Sequence, residues 1–66
     1  MHNPRISPYP GDILVHSITG EQREVVKCEA LTHRVWFLRK DSIFAAKCSE
    51  GEWREWAAHP LIVVRR

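Results

Sequence analysis

His33-Arg34-Val35-Trp36-Phe37-Leu38-Arg39-Lys40 is the stretch on which the fold turns. On an extended backbone Val35 and Phe37 point to one side and Trp36 and Leu38 to the other, so both faces carry large apolar groups. A run this short, bounded by charged residues and rich in Val, Trp and Phe, reads as a strand. Strands apolar on both faces lie between two layers or have one face at an interface. This run is therefore expected to be the central strand, with one side in the core and the other free for a partner.

Reading outward, the neighbouring runs have the same length and punctuation. Upstream lie Asp12–Ile18 and Arg23–Ala30, separated by Gly20, which supplies the positive φ of a tight hairpin. Strict alternation over Arg23–Ala30 places Val26, Cys28 and Ala30 inward, and Val25, Lys27 and Glu29 outward. Downstream, Asp41-Ser42 makes a turn into Ile43–Ser49, where Phe44, Ala46 and Cys48 share a face. Leu61–Arg65 forms the last strand.

Between them, Ser49-Glu50-Gly51-Glu52-Trp53-Arg54-Glu55-Trp56 admits two readings. Ser49 and Glu52 have the spacing of a helix capping box, which would make Trp53 and Trp56 neighbours on one helical face. Gly51, however, is costly inside a helix and natural in a turn. On that ground Glu52–Trp56 is expected as a strand. The first ten residues hold Pro4, Pro8 and Pro10, which deny donors to a sheet, so residues 1–10 read as an extended Pro-rich arm ahead of a domain at 11–66.

The sum is an all-β domain, either a small barrel or a curved antiparallel sheet of five to six strands. Its element order resembles the SH3-like small barrels, Tudor and KOW-type modules included. The resemblance rests on Pro10-Gly11-Asp12-Ile13 entering the first strand, Gly20 in the first loop, Val25-Val26 in the second strand and a short turn before a final apolar strand. It implies a fold and a habit of binding, and transfers no site residues.

Sixty-six residues hold one domain, near the lower limit for a single hydrophobic core, so burying a face in a second copy or a partner is expected. Ten basic and eight acidic residues give a net charge of +2, too small to dictate an anionic partner without clustering. Two cysteines fall short of the framework of a secreted mini-protein, and Met1-His2-Asn3-Pro4-Arg5 lacks the apolar core of a signal peptide. A cytoplasmic protein is expected.

No catalytic motif is complete, and no enzyme is expected. Cys28 and Cys48 read as inward-facing small hydrophobes, where a thiol is inert. With four histidines they supply enough ligands for a structural zinc site, but closely spaced ligand pairs are missing, so no metal or other cofactor is expected. Glu50, Glu52 and Glu55 read as solvated charges, and the three glycines are too isolated for a phosphate loop.

The aromatic content points to binding. Trp36, Trp53 and Trp56, interleaved with Arg34, Arg39 and Arg54, exceed what a small core requires, and these six residues are the expected binding surface. Trp and Arg dominate protein interface hot spots, and aromatics beside cations also stack on bases. The expected function is a small accessory or regulatory interaction module whose partner is a protein or a second copy. Nucleic-acid binding and a zinc-dependent fold are the alternatives.

Overall fold

The structure is a computed structural model that describes residues 2–65. Its strands are β1 (Ile13–His16), β2 (Gln22–Glu29), β3 (Arg34–Arg39), β4 (Ala46–Ser49) and β5 (Ile62–Arg65), and its helix is α1 (Glu50–Ala57). All pairings are antiparallel, in the order β4-β3-β2-β1-β5. β4 and β5 are opposite edges, so the sheet stays open and does not close into a barrel. Of the two expected architectures, the antiparallel sheet is the one formed. β2 is its middle strand, and the Val35–Phe37 run lies one strand over.

The faces of β2 differ from strict alternation. Val25 is buried, whereas Val26 is 38% exposed and Cys28 is also exposed. The cause is a bulge. Val25 pairs with Phe37 but Lys27 with Trp36, so Val26 is an extra residue that resets the alternation. Val25 and Cys28 consequently share the core side, and Lys27 faces away beside Trp36.

The segment expected as the strand Glu52–Trp56 is helical. Ser49 Oγ accepts from Glu52 N at 3.1 Å and the Glu52 carboxylate accepts from Ser49 N at 3.1 Å, completing the capping box. Gly51 sits in the first helical turn, where the two reciprocal hydrogen bonds and the burial of Trp53 and Ala57 outweigh its entropic cost. The strand expected from Ile43 begins only at Ala46. Ser42 Oγ accepts from Phe44 N and donates to Phe44 O, competing with ladder pairing, and leaves Ile43 and Phe44 86% and 79% exposed.

The core joins one face of the sheet to α1. Leu14, Val25, Val35, Phe37 and Ile62 meet Trp53 and Ala57, with Trp53 0% exposed. The N-terminal arm closes this side, turning back at Tyr9-Pro10-Gly11-Asp12, where Asp12 N donates to Tyr9 O and Gly11 takes φ +98°. Pro at the second position and a positive-φ Gly at the third are what a type II turn requires. Three alternate carbonyls of the arm then accept from side chains of the body: Pro4 O from Trp53 Nε1, Ile6 O from Arg54 Nε and Pro8 O from Cys28 Sγ, each at 3.0 Å.

Candidate interaction surface

The opposite face of the sheet has neither helix nor arm over it. Register places Ile13 and Val15 of β1, Gln22, Glu24, Lys27 and Glu29 of β2, Arg34, Trp36 and Leu38 of β3, Lys47 and Ser49 of β4, and Val63 and Arg65 of β5 on this outer side. None is fully buried. The apolar members form two stripes, Trp36–Leu38 on β3 and Ile13–Val15 with Val63 on β1 and β5, divided by the polar residues of β2. Arg65 reaches across β1 to donate to Gln22 Oε1 at 3.1 Å, so its aliphatic stem covers part of the second stripe.

Trp36 is the largest side chain on this face, and basic residues flank it on the neighbouring strands. Lys27 and Lys47 are its direct cross-strand neighbours on either side. Adjacent strands lie about 4.8 Å apart, so the two lysines flank Trp36 within one row. Lys47 Nζ is 5.4 Å from the ring centroid, a cation–π contact. Arg34, two residues back on β3, presents its side chain to the same side. The indole Nε1 donates to the Glu29 carboxylate, which fixes the ring in plane and occupies one of the two carboxylates of the face. Arg34 and Lys47 also border a surface depression of about 240 Å³ with Thr32, Cys48, Ser49 and Glu52.

The six residues expected as one surface are divided. Arg34 and Trp36 come together on the outer face. Trp53 is buried and belongs to the core, because the helix turns it inward against Phe37, with ring centroids 5.9 Å apart. Trp56, 5.5 Å from Trp53, is half-buried and stacks under the Arg23 guanidinium at 4.0 Å. Arg23 also lies 4.6 Å from the Phe37 ring and bonds Glu21 at 3.2 Å, so it closes one end of the core. Arg39 is exposed on that same core side, 5.7 Å from Phe37. Arg54 is occupied with the arm and with Glu50, 3.7 Å away.

Lys27 and Lys47 were not among the expected residues. Alternation alone places Lys27 on the side away from Val26, but its position beside Trp36 depends on the bulge, and Lys47 meets the ring only through the β3–β4 register.

The cysteines flank Val35, Cys28 on β2 and Cys48 on β4, two strand spacings or roughly 9.6 Å apart. That separation excludes a disulfide. Cys28 keeps the inward side that alternation gives it, but it is not the buried hydrophobe expected: it lies beside the arm, where it is exposed. Partial burial raises its thiol pKa, and Glu50 and Asp12 add to the rise. Burial likewise raises Cys48, against the opposing pull of Arg23. Neither is an activated thiolate. Among the described residues, no three His, Cys, Asp or Glu side chains gather as metal ligands, and no helix is long and apolar enough to cross a membrane.

Comparison with protein-family models, with curated proteins and with solved structures finds no match to this chain.

Proposed function

We propose that the protein is a non-catalytic interaction module that docks an acidic macromolecular partner on the outer sheet face around Trp36. The observation that carries this reading is a large aromatic side chain left without a covering layer and bracketed by Lys27 and Lys47. Lys27, Arg34, Lys47 and Arg65 face Glu24 and Glu29 on this surface, while α1 on the other side carries Glu50, Glu52 and Glu55 against Arg54. The outer face thus carries four cations against two carboxylates. This excess favours an acidic partner over a second copy, because two such faces carry net charge of the same sign. The strand order and the short helix before the last strand also support kinship with the SH3-like small barrels.

Site-specific photo-crosslinking in cells tests the reading. A cross-linker at position 38 on the outer face is expected to trap a macromolecule, one at position 55 on α1 is not, and Trp36→Ala with Lys47→Glu is expected to abolish the product at unchanged melting temperature. Equal trapping from both positions, or trapping indifferent to these substitutions, overturns it.

A further inference from the structure

We infer that the occupant of the outer face is a single strand of nucleic acid, one base stacking at Trp36 and the flanking phosphates meeting Lys27, Lys47 and Arg34. The inference rests on the interaction reading above and names the partner. Its first support is composition within one row: Trp36 stands between two lysines, Lys27 on β2 and Lys47 on β4. A nucleic-acid strand repeats the same pair of chemistries, a π face and an anion, in every nucleotide. An acidic peptide offers the anion and leaves the indole unmatched.

The second support is the state of the ring. Trp36 is half-buried on an open sheet, its Nε1 donates to Glu29, and this hydrogen bond holds the ring as a fixed platform. The contact already made over the ring is the Lys47 ammonium, 5.4 Å from the centroid, carried on an exposed and flexible side chain. A base can take that place while Lys47 moves to the adjoining phosphate. The third support is shape. Arg34 and Lys47 border the depression of about 240 Å³ at the β4 edge, with Glu52 on its rim, which gives a phosphate two cationic side chains at one concave spot beyond the aromatic row. An unstacked base is needed to meet an indole on a sheet, so a duplex does not fit this site. The groups named read base face and phosphate and leave the sugar unread, so DNA and RNA strands are expected to bind with similar affinity.

Fluorescence anisotropy of labelled fifteen-nucleotide oligo(dT) and oligo(U) at low salt tests this. Both are expected to bind, with affinity falling as salt rises; three neutralised phosphates correspond to a log–log slope of about −2. Trp36→Leu, which keeps an apolar side chain but removes the stacking platform, is expected to weaken binding about tenfold. Lys27→Gln and Lys47→Gln are each expected to reduce the slope by about 0.7. Circular dichroism melts establish that each variant is folded.

No oligonucleotide binding by the wild type, or binding unchanged in folded Trp36→Leu, overturns the inference. Equal competition by polyglutamate also overturns it, assigning the face to an acidic protein. These results leave the interaction reading standing when cross-linking from position 38 still traps a protein. Failure of both experiments removes the interaction reading as well.

Discussion

Gly51 sits in the first turn of α1 with no positive φ, and a Cβ built there meets only Ser49 Oγ at 3.8 Å, an ordinary contact. The glycine's freedom is therefore unused in the folded state and is lost on folding. Gly51→Ala is expected to stabilise the protein by about 0.5–1 kcal/mol, read as a higher midpoint in urea. Ser49→Ala works in the opposite direction. It leaves Glu52 N without its cap and is expected to cost about 1 kcal/mol.

Glu52 gives the same cap a pH dependence. The hydrogen bond from Ser49 N holds its carboxyl pKa below the usual value. A lowered folded-state pKa means the ionised form stabilises the fold above the unfolded-state pKa, and the contribution disappears as pH falls through the folded value. Glu52→Ala should accordingly melt below the wild type at neutral pH, with the gap closing under acid conditions. A gap that persists to pH 2.5 would show that the carboxylate charge is not what Glu52 contributes.

Helix and arm are coupled through Trp53. Its ring fills the core, and its Nε1 donates to the carbonyl of Pro4, itself buried. Trp53→Phe keeps much of the aromatic volume but leaves that carbonyl without its donor, at an expected cost of about 1–3 kcal/mol by chemical denaturation. A substitution costing no more than a surface change would detach the arm from the stability of α1.

The same elements explain what was legible in the chain. The Val35–Phe37 and Leu14 runs announced strands because their burial follows alternation without interruption. Ser49 and Glu52 announced the helix, but Gly51 between them carried the opposite local signal, and tertiary burial of Trp53 decided between the two. The bulge at Val26 had no local mark, since Val25 and Val26 are equally apolar and only pairing with β3 tells which is inserted. From it follows the position of Lys27 beside Trp36. The cationic bracket of the candidate surface was hidden for that reason, although Trp36 and Arg34 were visible as candidates.

At the scale of the whole molecule, one small core has to hold the sheet, α1 and the arm together. A chain of 66 residues typically has about 3–10 kcal/mol of total stability. Leu14, Phe37, Trp53 and Ile62 draw that core from β1, β3, α1 and β5, so no element has a core of its own. Unfolding is expected as a single transition, with calorimetric and van't Hoff enthalpies equal. The arm should act on that transition as a whole. Removing residues 2–9 takes away the acceptor for Trp53 Nε1 and the Arg5 guanidinium that donates to Ala57 O at 2.9 Å, and it uncovers the indole. The expected loss is about 2–3 kcal/mol. For a domain of this size that lowers the melting temperature by roughly 10–20 °C while the transition remains single. A truncated protein that melts with the wild type would show the arm to be an attachment to the core. A second, lower transition in the intact chain would show it to be a separate unit. Because the arm binds the face opposite Trp36, the truncation should leave the outer surface intact in protein that remains folded. Any binding lost with it at a temperature well below the melt would mean that the two faces communicate through the sheet.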